Sequence, residues 1–118
     1  MKKFLKGFYF AFKGISYSFS TQLNFRIHCL VALIIIAVCF YLDLSIAEWL
    51  WIVAALAIVF MAELFNTAME TLVDLVSPEF NPKAGLIKDI SAAAVLIAAI
   101  MALITGILIL LPKIIHAS

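Results

Sequence analysis

Ile90-Ser91-Ala92-Ala93-Ala94-Val95-Leu96-Ile97-Ala98-Ala99-Ile100-Met101-Ala102-Leu103-Ile104-Thr105-Gly106-Ile107-Leu108-Ile109-Leu110-Leu111-Pro112 runs for 23 residues without a charge. A helix of that length measures about 34 Å, enough to cross a hydrocarbon layer of ~30 Å with some tilt. Working outward, a second uncharged run covers Ile27 to Leu42 and reaches bilayer length when extended to Ala47. Between them lies a third candidate, opening on Trp49 and Trp51, as an interfacial aromatic belt would. The predicted spans are 27–47, 49–69 and 89–111.

Composition agrees. Of 118 residues, 67% are apolar and only 13% charged, against roughly 45–50% and about 25% in soluble domains. So small a soluble domain has too much surface to keep two-thirds of its residues dry. Disorder is excluded by the same hydrophobicity. One membrane domain, 1–118, is expected. The net charge of +1 forms no basic face, so nucleic acid is not an expected partner. Cys29 and Cys39 lie ten residues apart in an apolar run and face different ways. They read as small buried hydrophobes rather than a redox pair.

Residues 1–25 are predicted as a surface helix. Phe4, Phe8, Phe12, Ile15 and Phe19 form one stripe, with Lys2, Lys6 and Lys13 opposite, as in a basic amphipathic helix lying on a membrane. A signal peptide fits poorly, since Lys6 and Lys13 interrupt the apolar region and no small-residue cleavage site follows. Two prolines and a glycine in 77–85 predict a loop. Five basic residues precede the first span, two lie between the second and third, and only Lys113 follows the third. That distribution predicts a cytoplasmic N-terminus and a cytoplasmic proline loop.

Membrane burial does not explain Ala62-Glu63-Leu64-Phe65-Asn66-Thr67-Ala68-Met69-Glu70-Thr71-Leu72-Val73-Asp74. Glu63, Asn66, Glu70 and Asp74 fall within an arc of about 80° on a helix. A charge at mid-membrane costs at least ~2.5 kcal/mol, and like charges on one face repel. A divalent cation offsets both, and Mg²⁺ binds through one or two carboxylates while leaving positions for substrate phosphates. Lys88-Asp89 opens the third span at the level of Glu70. The set then holds carboxylates for metal and proton transfer, an amide, and a lysine for phosphate, which suits phosphoryl transfer. Glu63 lies deepest and is the candidate base. The alternatives are a Glu70–Lys88 structural ion pair, surface roles for Asp74 and Glu79, or a cation-coupled transporter using Glu63.

Ala62 to Glu70 followed by Val73-Asp74 resembles the signature of the small prokaryotic diacylglycerol kinase family, which includes undecaprenol kinases. Gly85-Leu86-Ile87-Lys88-Asp89-Ile90-Ser91-Ala92-Ala93-Ala94-Val95 resembles a second family segment. Phe12-Lys13-Gly14 and Asn24-Phe25-Arg26-Ile27-His28 also match family positions, the latter leaning towards the undecaprenol-kinase branch. The resemblance implies an all-α integral membrane protein with a surface helix, three transmembrane helices and a homotrimer with shared active sites, in a bacterial inner membrane. It implies transfer of the ATP γ-phosphate to a membrane lipid hydroxyl, with Mg²⁺ as cofactor. By the same resemblance, Glu63 is base, supported by Asn66. Glu70 binds metal and nucleotide. Lys88 and Asp89 contact nucleotide, with Asp89 also in the catalytic set, while Glu79 and Asn81 lie near the adenosine. Lys3 and Phe10 take nucleotide-region positions on the surface helix. Gln22 stands where the family commonly has a glutamate that shares the metal. An amide can donate an oxygen to Mg²⁺ but adds no charge, which leaves a non-catalytic relative as a further alternative. His28 is not taken as a substitute ligand, because it lies six residues from Gln22 and Mg²⁺ prefers oxygen.

Overall fold

The computed structural model describes residues 1–117 as four helices: α1 Lys2–Thr21, α2 Leu23–Tyr41, α3 Ile46–Val76 and α4 Pro82–Ala117. No strand occurs among the described residues. The helices α2, α3 and α4 are each long and apolar enough to cross a membrane. Their outward faces confirm the environment: Phe40 is 77% exposed and Leu108 70%, with many similar side chains between them. Water would not tolerate so continuous an apolar surface, whereas lipid solvates it.

The surface helix ends earlier than 25. Gln22 leaves helical geometry at φ −114°, ψ 112°, and α2 begins at the next residue. No proline or glycine marks this break, so periodicity runs through it unseen. Arg26 closes the corner: its Nη1 donates to the carbonyls of Phe19 and Ser20, each at 3.3 Å. A cation there satisfies carbonyls that the end of α1 leaves without partners. Phe25, buried, then meets Phe60 of α3 edge-on at a ring separation of 5.4 Å.

α2 stops at Tyr41, and α3 starts behind a complete capping box. Ser45 Oγ accepts from the Glu48 N–H (3.2 Å), and Glu48 Oε1 accepts from the Ser45 N–H (2.9 Å). Lys113 of α4 donates to the Asp43 carbonyl (2.9 Å) and lies 3.2 Å from Glu48. It pins the end of α4 to the α2–α3 turn. The main core sits near this end, where Cys39, Leu42, Ile52 and Leu110 are buried together. Cys39 and the half-buried Cys29 are both free thiols.

Helix α3 runs beyond the expected 49–69 span to Val76, 31 residues in all, and so carries Glu70 and Asp74 with Glu63. At about 46 Å it exceeds the hydrocarbon layer, so one end reaches beyond it. The expected 77–85 loop shortens to 77–81, because Pro82 to Gly85 belong to α4. Asn81 caps that helix: its Oδ1 accepts from the Lys83 N–H at 2.9 Å, with Pro82 at the first helical position. α4 also runs through Pro112 to Ala117.

α3 and α4 pack along much of their length, with Ala98 buried between helices, whereas Ala92, Ala93 and Ala94 are exposed. α2 packs less closely on α3. An apolar groove of about 460 Å³ opens between α2, α3 and α4.

Candidate functional site

The acidic stripe occupies the last four turns of α3. Glu63 is 2% exposed and Thr67 5%. The Thr67 hydroxyl donates to the Glu63 backbone carbonyl (3.0 Å), and that of Thr71 to the Thr67 carbonyl (2.7 Å). Both hydroxyls therefore serve the backbone and leave the Glu63 carboxylate unassisted. Glu63 Oε1 is fully buried with no hydrogen-bond donor among the described residues. One side chain from another helix approaches it. His28 Nε2 of α2 lies 3.0 Å from Glu63 Oε1, but off the N–H line, so the contact is close without being a hydrogen bond.

One turn on, Asn66 Nδ2 donates to Glu70 Oε1 at 3.2 Å. Asn66 Oδ1 is also buried and without a donor. Two buried acceptors one turn apart thus lack a donor among the described residues. An unsatisfied buried acceptor costs ~1–3 kcal/mol, more when charged, and such atoms are rare unless a ligand or ion completes them.

Lys88 of α4 pairs with Asp74, with Nζ 2.6 Å from Oδ1, and not with Glu70 as the sequence allowed. Among the described residues, the Glu70 carboxylate accepts a hydrogen bond from Asn66 alone. Gln22 is half-buried at the α1–α2 corner, and its side chain makes no hydrogen bond among the described residues.

Of the remaining candidates, Asp89, Glu79 and Asn81 are exposed near the start of α4. Lys3 and Phe10 are exposed on α1, where Phe10 meets only Tyr9 edge-on at 5.3 Å. The structure thus joins Asn66 to Glu70 and Asp74 to Lys88, keeps Glu63 on the same helix, and leaves Lys3, Phe10, Glu79, Asn81 and Asp89 on the surface. His28 was not anticipated beside Glu63. A signal existed, because it interrupts an apolar run, and counting back from the α2–α3 turn puts it within about one helical turn of Glu63 in depth.

No three His, Cys, Asp or Glu side chains among the described residues are grouped to hold a metal. Glu70 beside the unpartnered Asn66 Oδ1 nonetheless offers hard oxygen donors of the kind Mg²⁺ takes when it shares phosphates with one or two carboxylates. These residues fit such an ion.

The model of the prokaryotic diacylglycerol kinase family matches residues 9–110. The chain belongs to that family. An undecaprenol kinase of Bacillus subtilis is 38% identical over 113 residues, covering 96% of this chain and 92% of that protein. A diacylglycerol kinase of Synechocystis is 40% identical over 109 residues, covering 92% of this chain and 62% of the longer relative. The Escherichia coli diacylglycerol kinase is 28% identical over 108 residues, covering 92% and 88%. As a member of this family the chain is a membrane lipid kinase with ATP as co-substrate. The transporter alternative falls away.

Proposed function

We propose that this kinase phosphorylates the hydroxyl of undecaprenol or diacylglycerol, with Glu63 as base. The observation that carries the reading is the buried, donor-less Glu63 Oε1. The hydroxyl of a lipid supplies the missing donor. Its proton passes to Glu63 as its oxygen bonds to the γ-phosphorus, and the bond to the β–γ bridging oxygen breaks to release ADP. Glu63 and Glu70 are seven residues apart, about 10 Å along α3. That separation suits a lipid hydroxyl at the buried end and nucleotide phosphates at the wetter end.

Glu70 holds Mg²⁺, with Gln22 as a neutral second ligand, and the ion neutralises phosphate charge when bound. Asn66 orients the reacting groups. Lys88 exchanges Asp74 for a phosphate, and Asp89 lies beside it in the nucleotide site. Glu79 and Asn81 flank the adenosine, and Lys3 and Phe10 approach it from α1. The groove between α2, α3 and α4, with His28 at its polar end, receives the hydrocarbon chain.

The protein works as a homotrimer with shared sites, in a bacterial inner membrane, with N-terminus and 77–81 loop cytoplasmic. Three thin helices cannot enclose both substrates alone, which supports the sharing. Asn24-Phe25-Arg26-Ile27-His28 and the nearly full-length match to an undecaprenol kinase favour undecaprenol. The test is labelled-ATP transfer in mixed micelles, with both lipids offered side by side. Transfer to undecaprenol in preference supports the reading, and transfer to neither overturns it.

A further inference from the structure

Nothing on α3 fixes the direction of the Glu63 carboxylate. The neighbouring hydroxyl of Thr67 is committed to a backbone carbonyl at 3.0 Å, and Asn66 donates away from Glu63, to Glu70. A glutamate side chain has several staggered rotamers, only some of which aim an oxygen at a reacting hydroxyl. The side chain that reaches it is His28, from a different helix, at 3.0 Å.

His28 has two surroundings at once. Its Nε2 faces Glu63, whose side chain is 3% exposed, while the imidazole itself is 25% exposed. It also lines the apolar groove with Ile27, Val31, Val59 and Phe60. It is the most polar side chain in that lining. A hydrocarbon chain lying in the groove must therefore end beside His28 to bring a hydroxyl to Glu63. The helix that carries the imidazole is anchored beside it. Phe25, one turn earlier on α2, is 3% exposed and rests edge-on against Phe60 of α3, which sets the rotation of α2 against α3.

We propose that His28 is a positioning residue for lipid phosphorylation: through Nε2 it holds the Glu63 carboxylate aimed at the groove, where the acceptor hydroxyl arrives. This rests on the reading of Glu63 as base. Rotation of the ring to bring Nε2–H into line with Oε1 converts the 3.0 Å contact into a hydrogen bond and leaves the carboxylate's remaining lone pairs for the acceptor hydroxyl. The role needs a donor at the Nε2 position and not at Nδ1. Glutamine places its amide nitrogen near the former and asparagine near the latter.

The experiment compares wild type, His28→Gln, His28→Asn, His28→Ala and Glu63→Gln as full-length protein in lipid micelles. kcat is measured with saturating lipid, along with KM for ATP and for the lipid. The expected result is a loss in kcat of about tenfold or more in His28→Ala and His28→Asn, in the range set by small misplacements of reacting groups. KM for ATP stays within twofold, and His28→Gln recovers most of the rate. Rescue by Gln but not Asn separates positioning from space-filling, because both variants remove the ring. The inference is overturned if His28→Ala keeps wild-type kcat. It is also overturned if Gln and Asn lose rate equally. If wild type itself transfers no phosphate, or Glu63→Gln transfers it normally, the base assignment fails and takes this inference with it.

Discussion

Lys88 and Asp74 are fourteen residues apart in sequence yet meet at 2.6 Å, tying the first turns of α4 to the last turns of α3. The pair is solvent-facing, with side chains 39% and 66% exposed. Exposed pairs gain modest Coulomb energy and lose side-chain freedom. The pair therefore contributes little as a structural clamp, and the proposed nucleotide role leaves Lys88 free to exchange Asp74 for a phosphate. Asp74→Asn is expected to leave Tm almost unchanged. Lys88→Ala is expected to raise KM for ATP about tenfold or more, because charge-assisted bonds to phosphate are among the strong ones. Unchanged ATP kinetics in Lys88→Ala removes Lys88 from the nucleotide site.

Gln22 is the proposed second metal ligand. Replacing it by glutamate adds a full charge where an amide now stands, half-buried at the corner between α1 and α2. Gln22→Glu is expected to lower the Mg²⁺ concentration needed for half-maximal rate. An unchanged Mg²⁺ requirement places Gln22 away from the metal.

Gly106 tests the groove. It lines the cavity, and a Cβ built there meets no atom within 4 Å. The first carbon of a side chain there thus meets open space, and removing a mid-helix glycine favours the helix. Gly106→Leu is expected to raise KM for the lipid several-fold, with KM for ATP and Tm not impaired. Equal lipid kinetics in the variant places the hydrocarbon chain elsewhere.

Lys113 is the contrasting control. It joins α4 to the turn at Asp43 and Glu48, at the end of the bundle remote from Glu63. Lys113→Ala leaves the Asp43 carbonyl without this donor, and Tm is expected to fall by a few degrees while kcat is retained. A loss of kcat with unchanged Tm contradicts the separation of these two ends.

The membrane helices were legible because uncharged length is a one-dimensional property, as in 90–112. The acidic stripe was legible because Glu63, Asn66, Glu70 and Asp74 share one helix, where spacing fixes direction. Contacts between helices were not. Whether Lys88 meets Glu70 or Asp74 depends on the rotation of α4 against α3, and either acid was in reach by spacing. His28 beside Glu63 depends on how α2 turns against α3, which rests on Phe25 and Phe60. The break at Gln22 escaped notice because it has neither proline nor glycine and is held by Arg26 reaching back to two carbonyls. The start of α4 is hidden because a proline marks a break in a linear pattern, whereas behind Asn81 Pro82 opens a helix.

The central claim is that Glu63 takes the proton from the acceptor hydroxyl. Its most direct test is transfer of labelled phosphate from ATP to undecaprenol and to diacylglycerol, by wild type and by Glu63→Gln. The side chains are close in size, and a neutral amide at a buried site should not unfold the helices. The account predicts lipid phosphate from the wild type and a loss of at least about a hundredfold in the variant, with its oligomeric state and Tm retained. A Glu63→Gln protein that phosphorylates lipid at the wild-type rate would contradict it.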